Sequence, residues 1–204
     1  MLHTAFFLAH EAGACPSSYK RMAKALGGVQ KYGRDTPIPL TLVLDTLDIV
    51  DALWCLRVVL PEERALRDTI SRLFVSDYAE HVLPIFEEAY PNDLRPRRCL
   101  EVARRYDLGQ ASRWEVMDAS EAVLLAAGAA AEAASWAASA AAEAAAYAAS
   151  WAVSAVAETA AYAAYGAASW AARAAALAAG AAYGAAWDAE SEWQAALFRE
   201  RMEE

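Results

Sequence analysis

Residues that build metal sites and disulfide frameworks are scarce: three cysteines and three histidines in 204 residues. Cys15, Cys55 and Cys99 are an odd number and no two stand in a CxxC spacing. That speaks against a disulfide framework and a cysteine-based zinc site, and it fits a reducing compartment. His3 and His10 stand seven apart and would share a face if both lay on one helix. With Glu11 they offer an incomplete ligand set, so partly buried, ordinary histidines are the better reading. His81 follows Glu80 and precedes an apolar segment, but nothing beside it marks a substrate pocket. Gly27-Gly28 lacks the GxxxxGK[ST] context of a phosphate loop, and Ser17-Ser18 suit a helix start better than a nucleophile elbow. Asp45, Asp48 and Asp51 are evenly spaced but lack the glycine-bearing loop of a calcium site. No catalytic residues, no metal and no cofactor are expected, and the chain reads as a non-enzyme.

Other absences narrow the class. The apolar stretch at the N-terminus is too short, and its start not basic enough, for a signal peptide. Alternating strand patterns are few and there is no Asn-Gly hairpin signal, so β content should be small. Charge is uneven: residues 1–111 carry 14 Lys/Arg against 15 Asp/Glu, while residues 112–204 carry 4 against 12. An acidic second half repels phosphate backbones, so duplex nucleic acid is not an expected partner.

What remains is helical periodicity. Residues 2–11 read as one turn-rich helix, and residues 17–26 as an amphipathic one that stops at Gly27-Gly28. The Tyr32–Pro39 stretch is a loop, and Leu40–Leu47 an apolar helical run. Asp48 then looks like an N-cap with Asp51 three residues on. Pro61-Glu62-Glu63 opens another helix carrying Leu66, Ile70, Leu73 and Phe74; Asp77–Ala89 follows with Tyr78, Val82 and Phe86, and Pro84 should kink it. Pro96 suits a first helical turn, and the next stripe should end at Gly109. Trp54, Leu56, Leu73, Phe74, Val82, Phe86 and Leu100 are expected to form one buried cluster. The fold class is all-α: a compact multi-helix domain over 1–111, then a long-helix or helical-hairpin region over 112–204.

Ser112-Arg-Trp-Glu115 matches a capping box at the start of that second region. From residue 126 to 187 only Glu132, Glu143, Glu158 and Arg173 are charged, at spacings of 11, 15 and 15, and the rest is mostly alanine with Ser, Gly, Trp and Tyr. Four residues after each charge comes a large side chain: Trp136, Tyr147, Tyr162 and Leu177. These spacings keep the large residues near one face. Alanine makes the helix locally easy, yet a solitary rod would expose far too much apolar surface. Breaks at Gly166, Gly180 or Gly184, or association of several copies, are expected. Membrane insertion is not, because alanine is weakly lipophilic and the aromatics are spread along the stretch instead of banded at its ends.

Asp51-Ala-Leu-Trp-Cys-Leu-Arg57, Ala79-Glu-His-Val-Leu-Pro-Ile-Phe-Glu87 and Tyr90-Pro-Asn-Asp-Leu-Arg-Pro-Arg97 with Glu101-Val-Ala-Arg-Arg105 resemble the "putative immunity protein" family of bacterial and phage genomes. Ala12–Cys15, the Tyr32–Pro39 loop and the closing Glu192-Trp-Gln and Phe198-Arg-Glu fit as well. The resemblance covers most of residues 12–111 plus the tail, and implies a helical fold and a bacterial or phage setting; with the cysteine usage, the expected compartment is the cytoplasm of a bacterial host. This chain departs from its relatives in carrying Ser, Tyr and Gly where their alanine-rich repeats usually carry Asp and Arg. The expectation is a binding protein of immunity or phage counter-defence type that sequesters a bacterial toxin or defence component. One alternative is a sponge for a small signalling nucleotide, with Arg95, Arg97, Arg98, Trp151 and Trp170 as its ligand-binding residues. Another is a structural assembly protein. In each case the chain is expected to bind itself as a homo-oligomer through the alanine-rich helices.

Overall fold

The computed structural model describes residues 1–132, 145 and 183–203. The charged repeat with its large partners, Trp136, Trp151, Trp170, Gly166 and Gly180 lie outside the described side chains or outside the described residues altogether. By its contacts the chain divides into two units, Met1–Ser71 with Gln194–Glu204, and Arg72–Trp193. The fold is all-α, and among the described residues the β structure is one two-residue pair.

In the first unit β1 (His3–Thr4) pairs antiparallel with β2 (Ile38–Pro39), His3 opposite Pro39 and Thr4 opposite Ile38. The chain around these strands forms α1 (Phe6–Glu11), α2 (Pro16–Ala25), α3 (Val29–Tyr32), α4 (Leu40–Thr46) and α5 (Ile49–Cys55). The expected helix over 2–11 is therefore corrected to a strand and a shorter helix. Leu40 N–H donates to Leu2 O and Leu60 N–H donates to His3 O, so distant backbone satisfies groups that a local helix would have used. The correction also separates His3, on a strand, from His10, on a helix. The Glu63 carboxylate accepts from His3 N–H at 2.6 Å and lies 2.7 Å from its Nδ1. Asp48 accepts from Asp51 N–H at 2.9 Å, capping α5 as its spacing suggests. Leu2, Phe6, Ile38, Leu40, Leu53 and Leu56 form much of this unit's buried set, with Phe198 and Met202 from the C-terminal residues.

A single helix, α6 (Arg64–Ala89), runs through Pro84 with no break in its assignment. It is followed by α7 (Arg95–Asp107) and α8 (Arg113–Glu132), and α9 (Tyr183–Glu203) is the last described helix, with Gly184 inside it. The unit boundary falls within α6 and within α9. Along α6 the buried series Ile70, Phe74, Tyr78, Val82, Phe86 advances in steps of four. Leu66, one step of four before Ile70, is exposed, and Leu73 falls off that face and is exposed at 40%, which corrects the expectation that Leu73 is core. Trp54 is half-buried, and it belongs with Leu56 to the first unit while Phe74, Val82, Phe86 and Leu100 belong to the second.

α7 ends where Gly109 adopts φ +71°. Gly109 N–H donates to Tyr106 O and Gln110 N–H donates to Arg105 O, closing the helix by the double bond pattern that a left-handed residue permits. α8 begins at the capping box: Ser112 Oγ accepts from Glu115 N–H at 3.2 Å, and Glu115 Oε2 accepts from Ser112 N–H at 2.7 Å. Among the described residues no helix is long and apolar enough to cross a membrane.

Candidate functional site

The three arginines singled out as anion-binding sit on the first turn of α7, brought together by the Leu94–Arg98 helix start. Two of them are already committed. Arg95 grips Asp93 with Nε–Oδ1 at 2.9 Å and Nη2–Oδ2 at 2.5 Å, and Nη1 donates to the Ala122 carbonyl of α8 at 3.4 Å. That grip holds the Asp93 carboxyl below the usual carboxylate range. Arg97 forks onto Glu87 at 2.6 and 2.7 Å. Arg98 is exposed and has no carboxylate partner among the described residues. Trp151 and Trp170, the aromatic half of the expected pocket, lie outside the described residues. Arg104 meets Glu80, and Arg105 reaches Glu115 at 3.3 Å and the Gln110 carbonyl at 3.0 Å. Bidentate guanidinium forks make fixed geometry; they hold Arg95 on Asp93 and Arg97 on Glu87, while single bonds from Arg95 to the Ala122 carbonyl and from Arg105 to Glu115 link α7 to α8.

What the braced α8 turns outward is unusual. Its buried positions, Val116, Ser120, Val123, Ala127 and Ala130, follow one side of the helix at steps of three and four. Small residues in that row allow α7 and α8 to pack closely. The opposite side, which should be polar in an amphipathic helix, carries Trp114, Met117, Leu124 and Leu125 instead. All four are exposed, Trp114 at 76% and Leu125 at 66%. At 100° per residue the positions 114, 117, 121, 124, 125 and 128 fall within about a third of the helix circumference. Glu121 interrupts this stripe, and Asp118 and Glu115 flank it, all three exposed. An apolar strip bordered by acids, with a largely exposed tryptophan at one end, has the make-up of a protein contact surface. The sequence contains the signal, since both faces of α8 are apolar, but periodicity alone does not say which is core.

A second cluster in the Arg72–Trp193 unit went unnoticed in the sequence. His81 stacks on Trp193 with ring centroids 3.7 Å apart and an interplanar angle of 11°. Its Nε2 lies 3.2 Å from the carboxylate of Glu190, whose side chain is buried. Tyr78 packs edge-on against Trp193, and its hydroxyl is buried without a hydrogen-bond partner among the described residues. Burial, then the carboxylates of Glu190 and Asp77, push the Tyr78 phenol far up. Tyr78 and His81 lie more than 100 positions from Glu190 and Trp193 in the chain, which is why no local motif announces the cluster. Among the described residues no group of three or more His, Cys, Asp or Glu is placed to hold a metal ion.

A family model described as "Imm-5 like putative immunity protein" matches residues 67–201, a stretch that takes in α7, α8 and the stripe. No curated protein and no solved structure matches the chain.

Proposed function

The chain belongs to the Imm-5 like putative immunity protein family, and from that premise we propose that it neutralises a toxin or defence component by occupying it, without catalysis, through the outer face of α8. The exposed Trp114–Leu125 stripe carries this reading. A helix held rigid from behind and apolar in front presents a preorganised surface, which lowers the ordering cost of binding. The acids along the stripe and the acidic balance of residues 112–204 fit a basic partner surface with an apolar centre.

The test is protection together with complex formation. Each toxin encoded in the same genomic neighbourhood is produced with the wild-type chain, with Leu125→Glu, and with Trp114→Glu/Leu125→Glu. Wild type should restore growth and co-elute with one of these toxins. The variants, with helicity unchanged by circular dichroism, should bind it at least about tenfold more weakly, the scale of losing one anchor residue. Protection unimpaired by the double variant removes the stripe from the mechanism, and failure of the wild type to bind or protect against any of them removes the sequestration reading.

A further inference from the structure

The exposed face of α8 has a spacing that says what shape of partner fits it. Trp114, Met117, Glu121, Leu124 and Gly128 follow one another at steps of three, four, three and four. That is the a/d rhythm of a coiled-coil seam, on a helix whose other side is already packed. Asp118 and Leu125, seven positions apart, border one edge of it. At about 1.5 Å per residue the seam is about 21 Å long and its layers recur every ~5.3 Å. Same-face residues of a β-strand recur every ~6.7 Å and fall out of step with it within a few layers. A second α-helix keeps step along the whole length, its side chains entering the holes between layers. At the far end Gly128 leaves one such hole open, since a Cβ there would meet nothing within 4 Å.

We propose that the part of the partner that docks on α8 is a single amphipathic α-helix of about four turns, with an apolar a/d seam and Lys or Arg opposite Glu121 and Asp118. This rests on the reading of α8 as the binding face and adds the kind of element that fills it. The charge follows from the seam itself. Glu121 stands in its middle and Asp118 on its edge, both exposed, and among the described residues neither has a cationic partner. A second copy is the wrong occupant. With the seams fully overlapped, a two-fold axis sets Glu121 against its own counterpart whether the helices run parallel or antiparallel, and like charges repel. The chain's own residues 133–182 fit no better, since they offer one cation, Arg173, for two carboxylates.

The test uses the full chain and a labelled synthetic peptide of about three heptads, with leucine at its a and d positions and lysine at the central a position and on its flank, read by fluorescence anisotropy. Three companions are compared with it: one with glutamate for those lysines, one with a proline at its centre, and one with the same residues scrambled out of heptad order. The lysine peptide should bind. The glutamate peptide should bind at least about fivefold more weakly, the scale of exchanging an attractive charge pair for a repulsive one. The proline and scrambled peptides should not bind measurably, because neither presents a continuous helical seam. Glu121→Lys, at an exposed position, should reverse the order of the lysine and glutamate peptides, and Leu125→Glu should weaken both. The four-peptide comparison on the unmodified chain stands even if a variant fails to fold. No binding of the lysine peptide, or equal binding of all four, overturns the proposal. So does a chain whose mass by light scattering falls as the peptide binds, because a second copy then occupies the stripe. If no peptide binds while Leu125→Glu abolishes protection from a toxin, α8 is the binding face and its occupant is not a helix. If the lysine peptide binds as described and no toxin is neutralised, the helix-docking seam stands and the sequestration reading falls.

Discussion

Phe86 is 1% exposed in a run of buried side chains on α6, and Leu73 on the same helix is exposed. Phe86→Ala should therefore cost about 3–5 kcal/mol in a reversible melt, and Leu73→Ala no more than about 0.5 kcal/mol. A loss below about 1 kcal/mol at Phe86 would mean that its surroundings are not the closed core described. Tyr78 offers a test of opposite sign. Its hydroxyl is buried and unpartnered among the described residues, and such a group costs on the order of 1–3 kcal/mol. Tyr78→Phe should raise stability by about 1 kcal/mol, and a comparable loss would reveal a hydrogen bond to that oxygen. At Cys15 the Ser17 side chain at 3.0 Å, followed by backbone N–H groups of Ser18 and Ser17, stabilises the thiolate and brings the pKa down to about 7. The thiolate is the nucleophile, so the alkylation rate should rise with pH through about 7 and level off above it; a midpoint near the ordinary 9.0 would remove the Ser17 effect. Residue by residue, large apolar side chains at helical spacing were legible. Leu73 was not, because a leucine one step off the buried face looks the same in sequence as one on it.

Among elements, the features closed within four or five residues were the ones readable in advance. The Asp48–Asp51 cap, the Ser112–Glu115 box and the Gly109 stop each depend on side chains and backbone that are neighbours in the chain. β1 was not readable. Two residues carry no period, and their partners lie more than thirty positions on. The arginines of α7 stand out in the sequence as a group, as an alternative nucleotide site would need, and in the structure Asp93 and Glu87 engage Arg95 and Arg97. The capping box adds a pH-dependent element. The backbone N–H of Ser112, then its side chain, hold the Glu115 carboxyl below its ordinary value of 4.5. A folded-state pKa that is depressed gives a contribution fully present above the unfolded value and lost as pH falls through the folded one. Amide exchange at Ser112 and Glu115 should therefore be slow at neutral pH and accelerate relative to the middle of α8 below about pH 4. Ser112→Ala should show the faster exchange at Glu115 already at pH 7, and no difference between the two proteins would show the box to be idle.

At the scale of the whole molecule, composition points to association. Residues 126–187 have four charged side chains, Glu132, Glu143, Glu158 and Arg173, set among alanine, tryptophan and tyrosine. Four charges cannot solvate the outer surface of one or two isolated helices of that length, and a hairpin buries only one face of each. Alanine and glycine let helices of neighbouring copies approach closely, and Trp136, Trp151 and Trp170 are suitable anchors between them. The protein is therefore expected to be a homo-oligomer. The competing arrangement buries those aromatics within one chain, and the two differ in mass. Light scattering during chromatography at micromolar concentration should give a multiple of 21.9 kDa, and a species of that mass itself rejects the oligomer. The α8 stripe complicates attribution, since Trp114 and Leu125 are apolar and exposed as well. Two substitutions separate the surfaces. Trp151→Glu should reduce the multimer to monomer with helicity retained, and Leu125→Glu should leave its mass unchanged while weakening the heterologous partner. If Leu125→Glu dissociates the multimer and Trp151→Glu does not, the stripe is the self-contact and the alanine-rich stretch has lost its role in assembly.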